Sequence, residues 1–225
     1  TNYKYVYKGE PLVVDKDKME VLKIVKGVGS SINLSSLVSG NSFGIDLASF
    51  SNTKLQSLSV LEDKDYGYSI YFDFNEGMVS VSENWLKWSM NDCVGESCPQ
   101  YQPIKPSEMP EDAKLIAMAD DFIKKYGIDI SNYGKPEILN SWRIMYNALS
   151  SDSEKMTFYT PDVVSVVYPL IVEGEEVYDD GGNKNGLNVN INIRKMRVSG
   201  IWNLTSQQYQ GSMYETEKNT DTLLK

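Results

Sequence analysis

Carboxylates crowd residues 173–180 of this chain, at Glu173, Glu175, Glu176, Asp179 and Asp180. Grouped carboxylates can hold a hard cation or form the acid pair that cleaves a glycosidic bond. The run Asp179-Asp180-Gly181-Gly182-Asn183-Lys184-Asn185-Gly186 has a superficial likeness to a calcium loop. It departs from the EF-hand pattern, because Gly181 stands where the first ligand belongs and Asn192 where the closing glutamate belongs. Gly and Asn are the residues a turn uses where φ is positive. The expectation is a solvated turn between two strands, with no metal.

The chain contains no histidine. That removes Ser–His and Cys–His nucleophile activation, His-ligated metal centres and the usual general base near neutral pH. Carboxylate chemistry, lysine chemistry and binding without catalysis remain. The sequence leans to binding, with no cofactor. Cys93 and Cys98 are the only cysteines. A disulfide between them closes a small loop and suits an extracytoplasmic protein; free thiols are the alternative. Zinc wants four ligands, and neither a histidine nor another cysteine completes the set. The spacing is not that of a Cys-x-x-Cys redox motif.

Trp85 and Trp88, near Tyr66, Tyr68 and Tyr71, are the aromatic candidates. Three residues apart, they can share a helical face and offer a sugar-stacking or partner-docking patch. The competing reading packs them into the junction between the two halves of the chain, since large aromatics usually serve cores. Asn33-Leu34-Ser35 and Asn203-Leu204-Thr205 match the glycosylation sequon, a common chance match. A net charge of −9 argues against nucleic acid, whose phosphates need a basic surface. The small basic cluster Arg194, Lys195 and Arg197 reads as a solvated hairpin turn.

The elements that must position these residues differ between the two halves. A helix is predicted at about 107–126. Proline precedes it at 103, 106 and 110, with Pro110 suited to a first-turn position. Leu115, Ile116, Ala119, Phe122, Ile123 and Tyr126 form one apolar stripe, and Gly127 ends it. Strands follow at 138–146, 163–172, 187–193 and 197–204. Within 163–172, Pro169 argues for a bulge or an edge. Leu187, Val189, Ile191 and Ile193 alternate with Asn188, Asn190 and Asn192, which predicts one buried and one wet face. In the first half, 58–61, 68–74 and 78–82 read as strands, with a hairpin turn at Asn75-Glu76-Gly77. Asp17 and Glu20 are spaced as a capping box, which predicts a short helix at 17–26. Residues 30–53 read as loop, and Tyr3, Tyr5 and Tyr7 as part of an edge strand.

The fold class expected is α+β: an antiparallel meander packed on one main helix, with an N-terminal mostly β subdomain. The proline-rich stretch 99–110 sets the boundaries at 1–98, 99–213 and a frayed tail at 214–225. The apolar fraction of 41% supports a packed core, and no apolar run is long enough to span a membrane. The chain begins at Thr1, so a removed signal peptide or an N-terminal anchor upstream is expected.

The run Ala113, Ala117, Phe122-Ile123-Lys124-Lys125-Tyr126-Gly127-Ile128, then Trp142-Arg143-Ile144-Met145-Tyr146 and later strands, resembles PepSY-type extracytoplasmic domains. It is also similar in plan to bacterial membrane-anchored regulators of the YycH and YycI type. The likeness spans roughly residues 109–204 and lies in the order of elements; no catalytic residue transfers. It implies a helix paired with an antiparallel sheet outside the membrane, in a protein that tunes a partner. The expectation is thus a membrane-tethered domain that binds a protein at the cell surface. Asn188, Asn190 and Asn192 are its expected contact face. A glycan or cell-wall module, or a carboxylate hydrolase, is the alternative, with Trp85 or Trp88 beside acids in a groove. A structural surface component is a third.

Overall fold

The computed structural model describes residues 7–25, 55–75, 77–88, 102–139, 141–150, 160–204 and 208–223. Cys93 and Cys98, the expected loop at 30–53 and most of the expected edge strand at 3–8 lie outside these residues. The strands are β1 (Lys18–Val25), β2 (Ser57–Leu61), β3 (Tyr68–Asp73), β4 (Met78–Glu83), β5 (Glu137–Ile138), β6 (Val163–Pro169), β7 (Ile171–Val172), β8 (Glu175–Glu176), β9 (Gly186–Asn192), β10 (Arg197–Leu204) and β11 (Gln208–Glu215). The helices are α1 (Asp112–Tyr126), α2 (Ser141–Ser150) and the short α3 (Thr220–Leu223).

The chain divides into two compact units. Residues 29–205 form the larger, an α+β fold. Its seven-stranded sheet is antiparallel throughout, in the order β2-β3-β4-β10-β9-β6-β5. Consecutive strands pair in β2-β3-β4 and β9-β10, and a long connection brings β10 beside β4. Residues 1–28 and 206–225 form the smaller unit, where β1 and β11 pair antiparallel from Lys18 opposite Glu215 to Val25 opposite Gln208.

Strand alternation sorts the large sheet into two faces. Leu187, Val189 and Ile191 of β9, Val164, Val166 and Tyr168 of β6, and Val198 and Ile201 of β10 are buried. They form one core with Leu115, Ala119, Phe122 and Ile123 of α1. The apolar stripe read from the sequence therefore lies in the core. Asp112 and Lys124–Lys125 complement the two ends of the helix dipole, and Gly127 terminates it in the left-handed region at φ +62°. Tyr168 Oη donates to Asp120 Oδ1 at 2.7 Å and ties β6 to the helix. Burial raises the Tyr168 phenol well above its ordinary range, so it stays a donor.

Several expectations fail for identifiable reasons. Residues 141–150 are helical and only Glu137–Ile138 pair as strand. Trp142, Met145, Tyr146 and Leu149 recur at three and four, a helical period that competes with the alternating reading. Arg143 of α2 donates to Asp112 of α1 at 2.8 Å. The expected helix at 17–26 is strand β1, rich in Val and Ile and paired with a segment far along the chain. Asp17 forms an ion pair with Lys218 in place of capping a helix. The tail at 214–225 is not wholly frayed, because Tyr214 and Glu215 belong to β11 and α3 follows. The helix predicted from 107 starts at Asp112, after a separate 3-10 turn at Pro106–Glu108, and Pro110 precedes it. Pro169 ends β6, and the chain resumes as β7 in another pairing. The boundary at 98 does not separate sheets: β4 precedes it, β10 follows it, and the two are paired.

Candidate functional site

Asn188, Asn190 and Asn192 are half-buried on β9, on the face opposite the core. Asn190 Oδ1 accepts from Ser165 Oγ of β6 at 2.6 Å. Its Nδ2 has no protein acceptor among the described residues. Asn188 Nδ2 donates to the Gly186 carbonyl at 3.0 Å. Asn192 Oδ1 accepts the Lys195 N–H at 3.0 Å, closing the β9–β10 hairpin. Asn192 also shares a side-chain hydrogen bond with Glu83 of β4, so of the three only Asn188 is tied solely to its own strand.

Register extends this polar face across the sheet. Ser165 pairs with Asn190, Asn190 with Gly200, Gly200 with Ser82, Ser82 with Ser69, and Ser69 with Leu61. A second row runs beside it. Asn188 pairs with Trp202, and Ser80 with Tyr71, which pairs with Ser59. Between β10 and β4 the register shifts from Ile201 opposite Val81 to Leu204 opposite Val79. Trp202 and Asn203 therefore oppose the single residue Ser80, and Asn203 takes the left-handed conformation, φ +61°, of such a bulge. Trp202 is 46% exposed and Tyr71 42% exposed, so both rings reach solvent. A Cβ on Gly200 would lie 3.6 Å from Trp202 Nε1, so the indole nitrogen comes close to that glycine. Toward β6 the face is covered, since Val167 and Pro169 are buried.

The two candidate tryptophans separate. A turn after β4, not a helix, carries them. Trp88 is buried, donates Nε1–H to the Gly67 carbonyl at 2.7 Å and packs edge-on against Tyr66 and Tyr68. Trp85 is 71% exposed beside the still more exposed Leu86. Asn84 shapes this turn by accepting the Leu86 N–H at 3.2 Å and donating to the Glu62 carbonyl at 3.1 Å.

Two carboxylates of the acidic segment, Glu176 and Asp179, are occupied by neighbouring donors. Asp179 Oδ1 accepts the N–H groups of Gly181 and Asn183 at 2.9 and 2.8 Å, and these bonds hold its carboxyl below the ordinary range. Glu176 accepts from Tyr178 Oη at 2.9 Å, and Lys184 Nζ lies 2.6 Å from Glu137 and 3.0 Å from Glu176. No group of three or more Asp, Glu, His or Cys among the described residues is placed to hold a metal ion. Basic residues at the hairpin turn are likewise tied down. Arg194 donates to Asp162 at 2.8 Å and to the Gln102 carbonyl at 2.5 Å, and Arg197 stacks 4.3 Å over the Tyr66 ring. Nearby, burial pushes the Glu83 carboxyl up, against the opposing pull of the Asn192 amide and Lys195.

Comparison of the chain with family models, with curated proteins and with solved structures found no match. The sequence reading missed Trp202, although Trp202 alternates with the buried Ile201 in a recognisable strand. It considered Tyr71 only as a neighbour of Trp85 and Trp88. What joins Tyr71 to Trp202 is the β4–β10 pairing, which no local signal announces.

Proposed function

We propose that this chain is a non-catalytic recognition module that works outside the cytoplasm and binds through the sheet face carrying Asn190. The observation that supports this best is the pair of rows across the sheet. They combine unspent hydrogen-bonding groups with two solvent-exposed rings, on the face opposite the packed core. Ser69, Ser80 and Ser82 make no side-chain hydrogen bond to described residues, so the surface has donors and acceptors to offer. Burying such groups against a partner that satisfies them is favourable, whereas burying them unpaired is costly. The absence of histidine and the engagement of Glu176 and Asp179 by neighbouring donors favour binding over catalysis. The extracytoplasmic setting rests on the cysteine pair and on the sequence resemblance to PepSY-type domains, of which a helix followed by antiparallel strands remains although residues 141–150 are helical.

Asn190→Arg tests the face. It places a long charged side chain at the centre of one row and removes the bond to Ser165, a stability cost of about 1 kcal/mol. The variant should keep its circular dichroism spectrum and lose at least about tenfold in binding to a cell-surface fraction of its native host, a change of roughly 1.4 kcal/mol. Trp85→Ala should bind like the parent. Unchanged binding by Asn190→Arg would remove this face from consideration.

A further inference from the structure

We infer that the ligand of this face is an uncharged, hydroxyl-rich chain, a neutral glycan, lying across the strands over Ser80 between Trp202 and Tyr71. The inference rests on the recognition reading above and names its ligand class.

Charge comes first. Although 24% of the chain is charged, no position in either row, from Ser165 to Leu61 or from Asn188 to Ser59, carries a formal charge. Charges stand at the edges of the face, where Asp73 pairs with Met78, Arg197 with Asn192, and Glu137 continues the second row beyond Asn188 through Val167. An ionic ligand would be desolvated here without a counter-charge, at high cost. A neutral polyol loses little, because hydroxyl and amide groups exchange hydrogen bonds with it as they do with water.

Spacing comes second. Trp202 and Tyr71 stand two strands apart, about 9.5 Å by strand spacing, roughly the length of a disaccharide. Ser80 lies between them and presents only a hydroxymethyl group, so a chain can pass over it. The Trp202 indole, 46% exposed and close to Gly200, gives a pyranose ring an aromatic surface on which to stack its C–H side. Such rigid aromatic surfaces give large contact area at small entropic cost. Beside the rings, Asn190 and Ser82 supply donors and acceptors for equatorial hydroxyls.

Residue type comes third. Protein–protein interfaces share aromatic enrichment but are depleted in serine. Ser59, Ser69, Ser80, Ser82 and Ser165 fill the positions around the two rings. Around the two rings, the serines and asparagines offer a polyol both donors and acceptors.

Affinity electrophoresis with hydroxyethyl cellulose, together with fluorescence titration by N-acetylglucosamine oligomers, tests the inference. The parent protein should be retarded or show a saturable change in tryptophan emission with at least one probe. Trp202→Ala and Tyr71→Ala should each weaken that binding at least about tenfold. Trp202→Tyr should keep most of it, which separates loss of stacking from loss of fold, and Trp85→Ala should bind like the parent. Binding untouched by Trp202→Ala would overturn the placement. No binding to either probe, alongside capture of a protein at Ser82 by a photo-crosslinker, would overturn the glycan class and leave the recognition face standing. Failure of both would overturn the two readings together.

Discussion

At the scale of the residue, Glu83 makes an exacting electrostatic test. Burial is the largest influence on its carboxyl and raises the pKa above the ordinary 4.5; the Asn192 amide and Lys195 oppose that shift. Folding therefore favours the protonated acid. This contribution is fully present below pH 4.5 and is lost as pH rises through the folded-state value. Glu83→Gln keeps a neutral acceptor for Asn192 at every pH. It should melt above the parent at pH 7, and the gap should close as pH falls below about 4. A gap that widens in acid would mean that Lys195 outweighs burial. Trp85 and Trp88 show how little local sequence says about exposure. Their spacing admits a shared helical face, but a turn carries them, with one ring in the core and the other in water.

At the scale of the element, α1 was the most legible part of the chain, because charge, periodicity and Gly127 all agree on it. Gly127 has φ +62° with nothing within 4 Å of a Cβ placed there. Its substitution therefore tests conformation without a clash. Gly127→Ala should cost about 1 kcal/mol, or roughly 3 °C in melting temperature for a chain of this size, and Gly127→Asn less. An unchanged melting temperature for Gly127→Ala would mean that the helix end does not contribute to stability. The β9–β10 hairpin was equally legible, since alternation at period two is unambiguous when one face is buried. Strand β1 and helix α2 were not. In β1 a local capping pattern competed with a partner nearly two hundred residues away. In α2 a short run satisfied both periods, and its link to Asp112 is a tertiary fact.

At the scale of the molecule, the fold class was readable but the connectivity was not. Short turns predict neighbours along the chain, and β2-β3-β4 and β9-β10 obey that rule. The β4–β10 contact depends on closing a sheet across the proline-rich stretch. That contact erases the expected boundary at residue 98 and creates the candidate site by setting Trp202 opposite Ser80, across which Tyr71 lies on β3. The three asparagines were visible as a wet face. Their extension into an uncharged platform required the strand order.

If ligand binds on this face, the two sides of the folded protein must label differently. A photo-crosslinking residue at Ser82 and another at Lys114, exposed on α1, compare the two sides of one folded protein. On the native cell surface, Ser82 should give adducts that Asn190→Arg abolishes, and Lys114 should give none above background. Equal labelling from the two positions, or labelling from Lys114 alone, would mean that ligand does not bind on the face carrying Asn190.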